Sequence, residues 1–244
     1  ELLDLGVTRP SNSPHRSAAF MVRNHAEIKR RKVRIVINYK RLNDNTEDDK
    51  YNIPDMDQLI NSIQTTKIFS KFDCKSGFWQ IKMINESIPL TTFCCPQWHY
   101  EWLVMPFGLK NAPSIFQRKM DSIFNKYNFI LVYIDDILIF SPDKNSHIDH
   151  LYLALKEFIN NGITISKKKM VLNKPHIEFL GMELGDGKIR LQPHKVKKIL
   201  DYPDKLEDTK QLQSFLGILS YAWMYIPNLS KIIGPLYSKT TPTG

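Results

Sequence analysis

Two carboxylates stand side by side in Phe129-Ile-Leu-Val-Tyr-Ile-Asp135-Asp136-Ile-Leu138, with β-branched and aromatic residues on both sides. Adjacent like charges within apolar chain repel and resist desolvation, and each raises the other's pKa unless a cation offsets them. The pattern points to a divalent metal. The flanks, Phe129 to Ile134 and Ile137 to Phe140, have the length and composition of two buried strands joined by a tight turn at the Asp-Asp pair. Such a turn is unusual, because two-residue hairpins favour Asn-Gly, Asp-Gly or Gly-Gly. Taken alone, the pair also fits a merely solvated turn, since Asp tolerates turns. A third acid shifts that balance. Ile68-Phe-Ser-Lys-Phe72 reads as a strand running into Asp73, and Cys74-Lys-Ser76-Gly77-Phe78-Trp-Gln80 follows it.

The elements that must position these acids alternate in type. Arg34-Ile-Val-Ile-Asn-Tyr39 alternates as a strand, and Asn43 to Asp49 is a polar surface connection. Met56, Leu59, Ile60 and Ile63 after Pro54 predict a short amphipathic helix over 55–63. Asn111-Ala-Pro113 opens a helix carrying Ile115, Phe116 and Met120. His147 to Asn161 is a helix with Ile148, Leu151, Leu155, Phe158 and Ile159 as its apolar set, closed by Gly162. Ile177 to Leu184 is strand-like, with Gly185-Asp-Gly187 as a hairpin turn, and from Gln192 the pattern is helical with breaks at Pro203 and Pro227. The fold class is α+β, with a small helical region at the end.

At 244 residues and 42% hydrophobic content the chain can bury a sizeable core. Its apolar runs are far shorter than the roughly 20 residues of a membrane span, and no charged-then-apolar signal segment opens it. The expectation is a soluble, non-secreted protein. Cys74, Cys94 and Cys95 form neither an even framework nor a CxxC pair, which argues for a reducing compartment and against structural zinc. A start at Glu1 without methionine suggests a piece of a longer polypeptide. The net charge of +9 is unevenly placed. Eight Lys/Arg stand against Glu27 alone from Arg23 to Arg41, and nine against Asp201, Asp204, Glu207 and Asp208 from Gly187 onward. Two basic arms around an acidic middle suit a polyanion, although a basic run also occurs as ordinary solvated surface.

Asp73 with Tyr133-Ile-Asp-Asp136 resembles the strand-end acids of nucleotidyl transferases, where two Mg²⁺ ions activate a 3′-hydroxyl and stabilise the leaving pyrophosphate. Leu103-Val-Met-Pro-Phe-Gly-Leu-Lys-Asn-Ala-Pro113, Phe179-Leu-Gly181 and Phe215-Leu-Gly-Ile-Leu-Ser-Tyr221 follow in order. With these blocks the chain resembles reverse transcriptases over essentially its whole length. The resemblance is strongest to the enzymes of long-terminal-repeat retrotransposons and of plant pararetroviruses, the bacilliform caulimovirus relatives (badnavirus- and tungrovirus-like) in particular.

The resemblance implies a right-hand polymerase with an antiparallel-sheet palm and a helical thumb: fingers 1–47 and 81–111, palm 48–80 and 112–186, thumb 187–244. It implies an RNA- and DNA-templated DNA polymerase that transfers dNMP to a primer 3′-hydroxyl with two Mg²⁺ ions, Mn²⁺ being a substitute. Asp73 and Asp135 then correspond to the principal metal ligands, Asp136 to a third acid, and the Cys74 carbonyl to a further ligand. Backbone amides of Ser76 and Gly77 would meet the triphosphate. Phe78 would lie under the sugar and select deoxynucleotides, with a plain core aromatic as the alternative. Phe107 would pack on the nucleotide, and Gly108 would admit the template backbone. Arg34 matches a fingers arginine that stacks on the base and contacts phosphate. Arg23 could supply the neighbouring phosphate contact, where a Lys-Lys pair is replaced by Arg23-Asn24. Lys169 resembles the acid that protonates pyrophosphate, with Lys168 or a solvated charge run as alternatives.

Leu180, Gly181 and Met182 resemble the hairpin that grips the primer end. Gln213, Gly217 and Tyr221, four apart, resemble a helix face tracking the minor groove of the duplex. Trp98 has no assigned role. The implied partners are an RNA or DNA template with primer, dNTPs, and a downstream RNase H domain of a polyprotein; no membrane is implied. That RNase H activity is expected to be absent from this chain, because no further acidic cluster on a strand pattern follows Tyr237. The implied location is intracellular, in host cytoplasm within viral particles or replication complexes, during replication of a viral genome through RNA. The competing expectations are a catalytically silent template–primer scaffold of the same fold, and an RNA-templated RNA polymerase, which Phe78 disfavours.

Overall fold

The computed structural model describes residues 2–22, 34–54, 63, 65–95, 98–222 and 225–240. The helix expected over 55–63, apart from Ile63, and Arg23 lie outside these. The chain divides into two compact units, one of residues 1–56, 72–137 and 150–170, the other of 57–71, 138–149 and 171–244.

In the first unit, strands β1 (Thr8–Pro10), β2 (Ser17–Val22), β3 (Arg34–Ile37), β5 (Phe93–Cys95) and β6 (Trp98–Trp102) form a sheet in the order β1-β6-β5-β2-β3. Only the β2–β5 pair is parallel among its registers. Ile37, Tyr39, Phe93 and Trp102 are its buried cluster, and the Tyr39 hydroxyl donates to the Thr91 carbonyl at 2.8 Å. The strand expected through Tyr39 ends at Ile37 because Tyr39 turns into that core and helix α1 (Lys40–Asp44) begins.

The acids sit on β4 (Ile68–Asp73) and on the hairpin of β7 (Ile130–Tyr133) and β8 (Asp136–Ser141). These strands and β9 (Val171–Lys174) form a sheet in the order β7-β8-β4-β9. Phe69, Ile137, Leu138 and Ile139 are fully buried, as uninterrupted apolar runs require. The hairpin turn is one residue earlier than expected: Ile134-Asp135 make it, and Asp136 already belongs to β8. Ile134 takes the left-handed conformation (φ 52°), a strained choice for a β-branched residue.

Helices α2 (Ala112–Phe124) and α3 (Lys144–Asn160) follow the expected order. Helix α3 starts three residues before His147, because the Asp143 carboxylate accepts from the amides of Asn145 (2.9 Å) and Ser146 (3.0 Å). It ends as expected at Gly162 (φ 66°), with Ile163 N–H donating to the Phe158 carbonyl at 2.8 Å. Its expected apolar set is divided. Phe158 is buried, whereas Ile148, Leu155 and Ile159 are exposed, since the core side is instead His147, Ala154 and Phe158.

In the second unit the run 177–184 is not one strand but two, β10 (His176–Phe179) and β11 (Met182–Gly185), reversing at Leu180-Gly181. Both turn residues have positive φ (47° and 80°), the requirement of a two-residue hairpin that glycine at the second position eases. The Asp186-Gly187 turn leads to β12 (Lys188–Leu191), which completes a three-stranded antiparallel sheet. Helices α4 (Pro193–Leu200), α5 (Thr209–Leu219) and α6 (Leu229–Tyr237) follow. Leu212, Leu216, Leu219, Leu229 and Ile233 bury together between α5 and α6. Asp208 caps α5 by accepting from Gln211 N–H at 2.7 Å, and the Gln211 side chain accepts from Glu207 N–H at 3.0 Å.

Phe158 stands edge-on to both Phe72 (centroids 5.3 Å) and Phe124 (5.8 Å) behind the acid-bearing strand. Phe158→Ala should lower unfolding free energy by about 3–5 kcal/mol, and Phe158→Leu by less, as measured by urea denaturation.

Candidate active site

Backbone hydrogen bonds hold the strand ends together. Cys74 N–H donates to the Asp135 carbonyl at 2.8 Å, and Ser166 N–H donates to the Asp73 carbonyl at 2.8 Å. The end of β4 is thus joined to the β7–β8 turn on one side and to the 166–170 loop on the other. Gln80 braces this loop system, its side chain donating to the carbonyls of Lys75 (2.9 Å) and Thr164 (2.8 Å) and accepting from Thr164 N–H (2.9 Å).

The strained turn is held from beneath by Gln117 of α2. Its side-chain oxygen accepts from Ile134 N–H at 2.7 Å, and its amide donates to the Val132 carbonyl at 3.0 Å and to Asp121 at 2.9 Å. Gln117 is fully buried. It was not among the residues singled out from sequence, although a glutamine adjoining Phe116 and three before Met120 on an apolar helix face is the kind of buried polar group that must have partners.

Asp135 is held in an unfavourable setting for a charge. Burial, then the charges of Asp73 and Asp136, push its carboxyl up to about 6, while Lys169 pulls the other way. Its Oδ1 is buried without a hydrogen-bond partner. A Cβ on Gly77 would collide with that oxygen, so Gly77 is the cradle that lets the carboxylate sit there. The Lys169 ammonium reaches both oxygens of Asp73, at 3.0 and 2.8 Å. Asp73, Asp135, Asp136 and Lys169 are therefore brought together. The Cys74 thiol is buried and pushed up to about 12 by burial and by the three carboxylates, so it stays protonated.

No metal-holding group of three His, Cys, Asp or Glu side chains is assembled among the described residues. Both Asp73 oxygens are engaged by Lys169, and Asp135 Oδ1 points at Gly77. The donor chemistry nevertheless fits a hard divalent cation: an orphaned buried carboxylate oxygen, mutual repulsion among acids, and a lysine cation already drawn in.

Next to the acids, Ser76 adopts the left-handed conformation (φ 50°) and starts the single turn Gly77–Gln80. Phe78 is buried between Phe107 (centroids 5.2 Å) and Phe116 (5.6 Å). Phe107 is 40% exposed, leaving one aromatic surface open beside the acids' loop. Gly108 (φ 97°) packs on Tyr39, and its carbonyl accepts from the Asn43 side chain at 2.8 Å. Arg34 lies at the end of β3, in register with Val22. The remaining residues belong to the other unit. Leu180 and Gly181 form the β10–β11 turn, while the Met182 side chain is buried. Gln213 and Gly217 lie on the exposed side of α5, and Tyr221 falls beyond its end in the short turn Ser220–Ala222.

Residues 22–184 match the family described as reverse transcriptase (RNA-dependent DNA polymerase), and the chain belongs to that family. It is 53% identical over 240 residues to the enzymatic polyprotein of Cauliflower mosaic virus (strain Strasbourg), covering 98% of this chain and 35% of that protein. It is 51% identical over 252 residues to polyprotein P3 of Commelina yellow mottle virus, covering all of this chain and 13% of that protein. The chain thus spans about a third or less of these polyproteins. Among solved structures, it is similar to the foamy viral protease-reverse transcriptase in complex with RNA/DNA hybrid (TM-score 0.85, 26% identity, 97% of this chain and 31% of that one). The dRH form in complex with double-stranded DNA gives TM-score 0.86 at 26% identity, over 97% and 41% of the two chains. The fold is the right-hand polymerase fold of those enzymes. No described helix is long and apolar enough to cross a membrane.

Without divalent cations, ionised Asp135 works against folding. Its carboxyl keeps its proton to about pH 6 in the folded protein, but only to 3.8 when unperturbed. The folded state binds more protons between these values, so stability falls as pH rises through them and stays lowered above. Asp135→Asn should therefore melt above the wild type at pH 7–8 in EDTA, and the gap should close as pH falls from about 6 towards 3.8; thermal denaturation against pH measures it.

Proposed function

We propose that this chain copies RNA and DNA templates into DNA during replication of a viral genome through an RNA intermediate. The observation that carries the reading is the buried, partnerless Asp135 oxygen crowded by Asp73 and Asp136 at the ends of apolar strands. A structural site would neutralise such a group with protein donors; leaving it bare suits a site completed by a cation.

The residues fitted to hold two Mg²⁺ ions, or Mn²⁺, are Asp73, Asp135, Asp136 and the Cys74 carbonyl. When bound, these ions lower the pKa of a primer 3′-hydroxyl and offset charge on the pyrophosphate that leaves. Phe78 underlies the deoxyribose, wedged by Phe107 and Phe116 so that it cannot yield to a 2′-hydroxyl. Phe107 gives the nucleotide an apolar wall, the amides of Ser76 and Gly77 face the triphosphate, and Arg34 and Arg23 engage base and phosphate from the fingers. Lys169, whose ammonium now rests on Asp73, donates its proton to pyrophosphate. Gly108 admits the template strand, Leu180, Gly181 and Met182 steady the primer end, and Gln213, Gly217 and Tyr221 follow the minor groove.

In this reading the fingers are 1–47 and 81–111, the palm 48–80 and 112–186, and the thumb 187–244. The partners are a template–primer duplex, dNTPs and an RNase H domain elsewhere in the polyprotein, with the enzyme working in host cytoplasm within particles or replication complexes.

Primer extension on an RNA template with Mg²⁺ tests the activity. Incorporation is expected, with Asp135→Asn lowering it by at least about 100-fold, more than the 10–100-fold typical of a mere supporting contact. No incorporation by the wild type would instead favour a silent template–primer scaffold. Phe78→Val should raise ribonucleotide incorporation relative to deoxynucleotide, as single-nucleotide kinetics will show; an unchanged ratio would remove Phe78 as the sugar gate.

A further inference from the structure

Helix α3 carries a second apolar seam that the core does not use. Ile148, Tyr152, Leu155 and Ile159 are 66%, 68%, 42% and 80% exposed. Their spacing of four, three and four residues is that of alternating d and a positions of a coiled coil, one residue round from the buried His147, Ala154 and Phe158. An unbroken apolar stripe of large side chains on one helix is a contact surface rather than scattered exposure.

We propose that this stripe pairs two copies of this chain, helix against helix and antiparallel. The charges beside the stripe choose the partner. Asp149 and Lys156 occupy its e-type positions, both are exposed, and neither forms an ion pair with a described residue. An antiparallel copy sets Ile148 beside Ile159 and Tyr152 beside Leu155, each twice by the two-fold axis. In that register Asp149 of each copy falls beside Lys156 of the other, so the surface is complementary to itself in charge as well as in its apolar spacing. Opposed helix directions also oppose the two macrodipoles. The seam covers two heptads, fewer than the roughly three to four that sustain an independent coiled coil. Pairing is therefore weak and concentration-dependent, set by mass action.

Sedimentation equilibrium of the 244-residue chain across a concentration series tests this. The weight-average mass should rise from monomer towards dimer, and Tyr152→Glu should hold it at monomer. Asp149→Lys and Lys156→Asp should each suppress self-association by placing like charges together at both junctions. Mixing the two single variants should restore dimer, because each then supplies the charge the other lacks, and the Asp149→Lys/Lys156→Asp double variant should self-associate again. All these positions are exposed, and circular dichroism confirms that each variant is folded. A wild type that stays monomeric throughout overturns the proposal. So does a dimer indifferent to Lys156→Asp, which would be the mark of a different register, and so does failure of the mixture to pair.

Discussion

The site depends on keeping one carboxylate where a protein would ordinarily not leave it. Asp135 is raised to about 6 by burial and by two neighbouring acids, and one of its oxygens lacks any donor. Charge of one sign at the end of buried strands is expensive, and nothing in the side chains of Asp73 or Asp136 relieves it. The surroundings hold it in place through the backbone instead: Cys74 N–H on the Asp135 carbonyl, and Gln117 on the amide of the strained Ile134. The Gly77 cradle has the same character, giving room without giving a hydrogen bond. Geometry is thus secured by groups that leave Asp135 Oδ1 itself unsatisfied, which is preorganisation for a cation.

Lys169 has two faces in this scheme. As the only ammonium shown on the acids among the described residues, it lowers the repulsion that the folded chain must tolerate. The same ammonium is the proton donor to pyrophosphate in the function proposed above. Its side chain is 66% exposed while that of Asp73 is 17% exposed, so the lysine can swing outward at little cost whereas the acid is fixed. An exposed cation beside a largely buried anion is an arrangement that yields readily to a stronger cation.

Much of this was legible in the chain, for identifiable reasons. Apolar runs with acids at their ends marked β4 and β8, whose buried runs leave little room for polar alternation, and the edge strand β7, where burial alternates along an apolar sequence. What periodicity could not give was register. The turn fell on Ile134-Asp135 rather than Asp135-Asp136, since Gln117, seventeen residues away, supplies the amide's partner. By periodicity alone the run 177–184 looked continuous, because β-propensity does not reveal a turn whose first residue is an ordinary leucine in the left-handed region; the family resemblance, by contrast, marked a hairpin at Leu180 to Met182. Gln213, Gly217 and Tyr221 are spaced four apart in the chain, but helix α5 ends at Leu219, which leaves Tyr221 in the turn Ser220–Ala222 and off the face the other two share.

Helix α3 shows the same limit from another side. Helical spacing correctly marked it as amphipathic, but a helix has two adjacent seams one residue apart, and both here are apolar in part. The core takes the one containing His147, Ala154 and Phe158, where Phe158 can meet Phe72 and Phe124 edge-on. Periodicity measures how apolar residues recur, and it is blind to which of two recurrences finds a partner within the chain. The seam left outside keeps the same repeat and carries opposite charges at Asp149 and Lys156, so an apolar surplus that single-chain packing does not explain is accounted for once the partner is allowed to be another copy of the same helix.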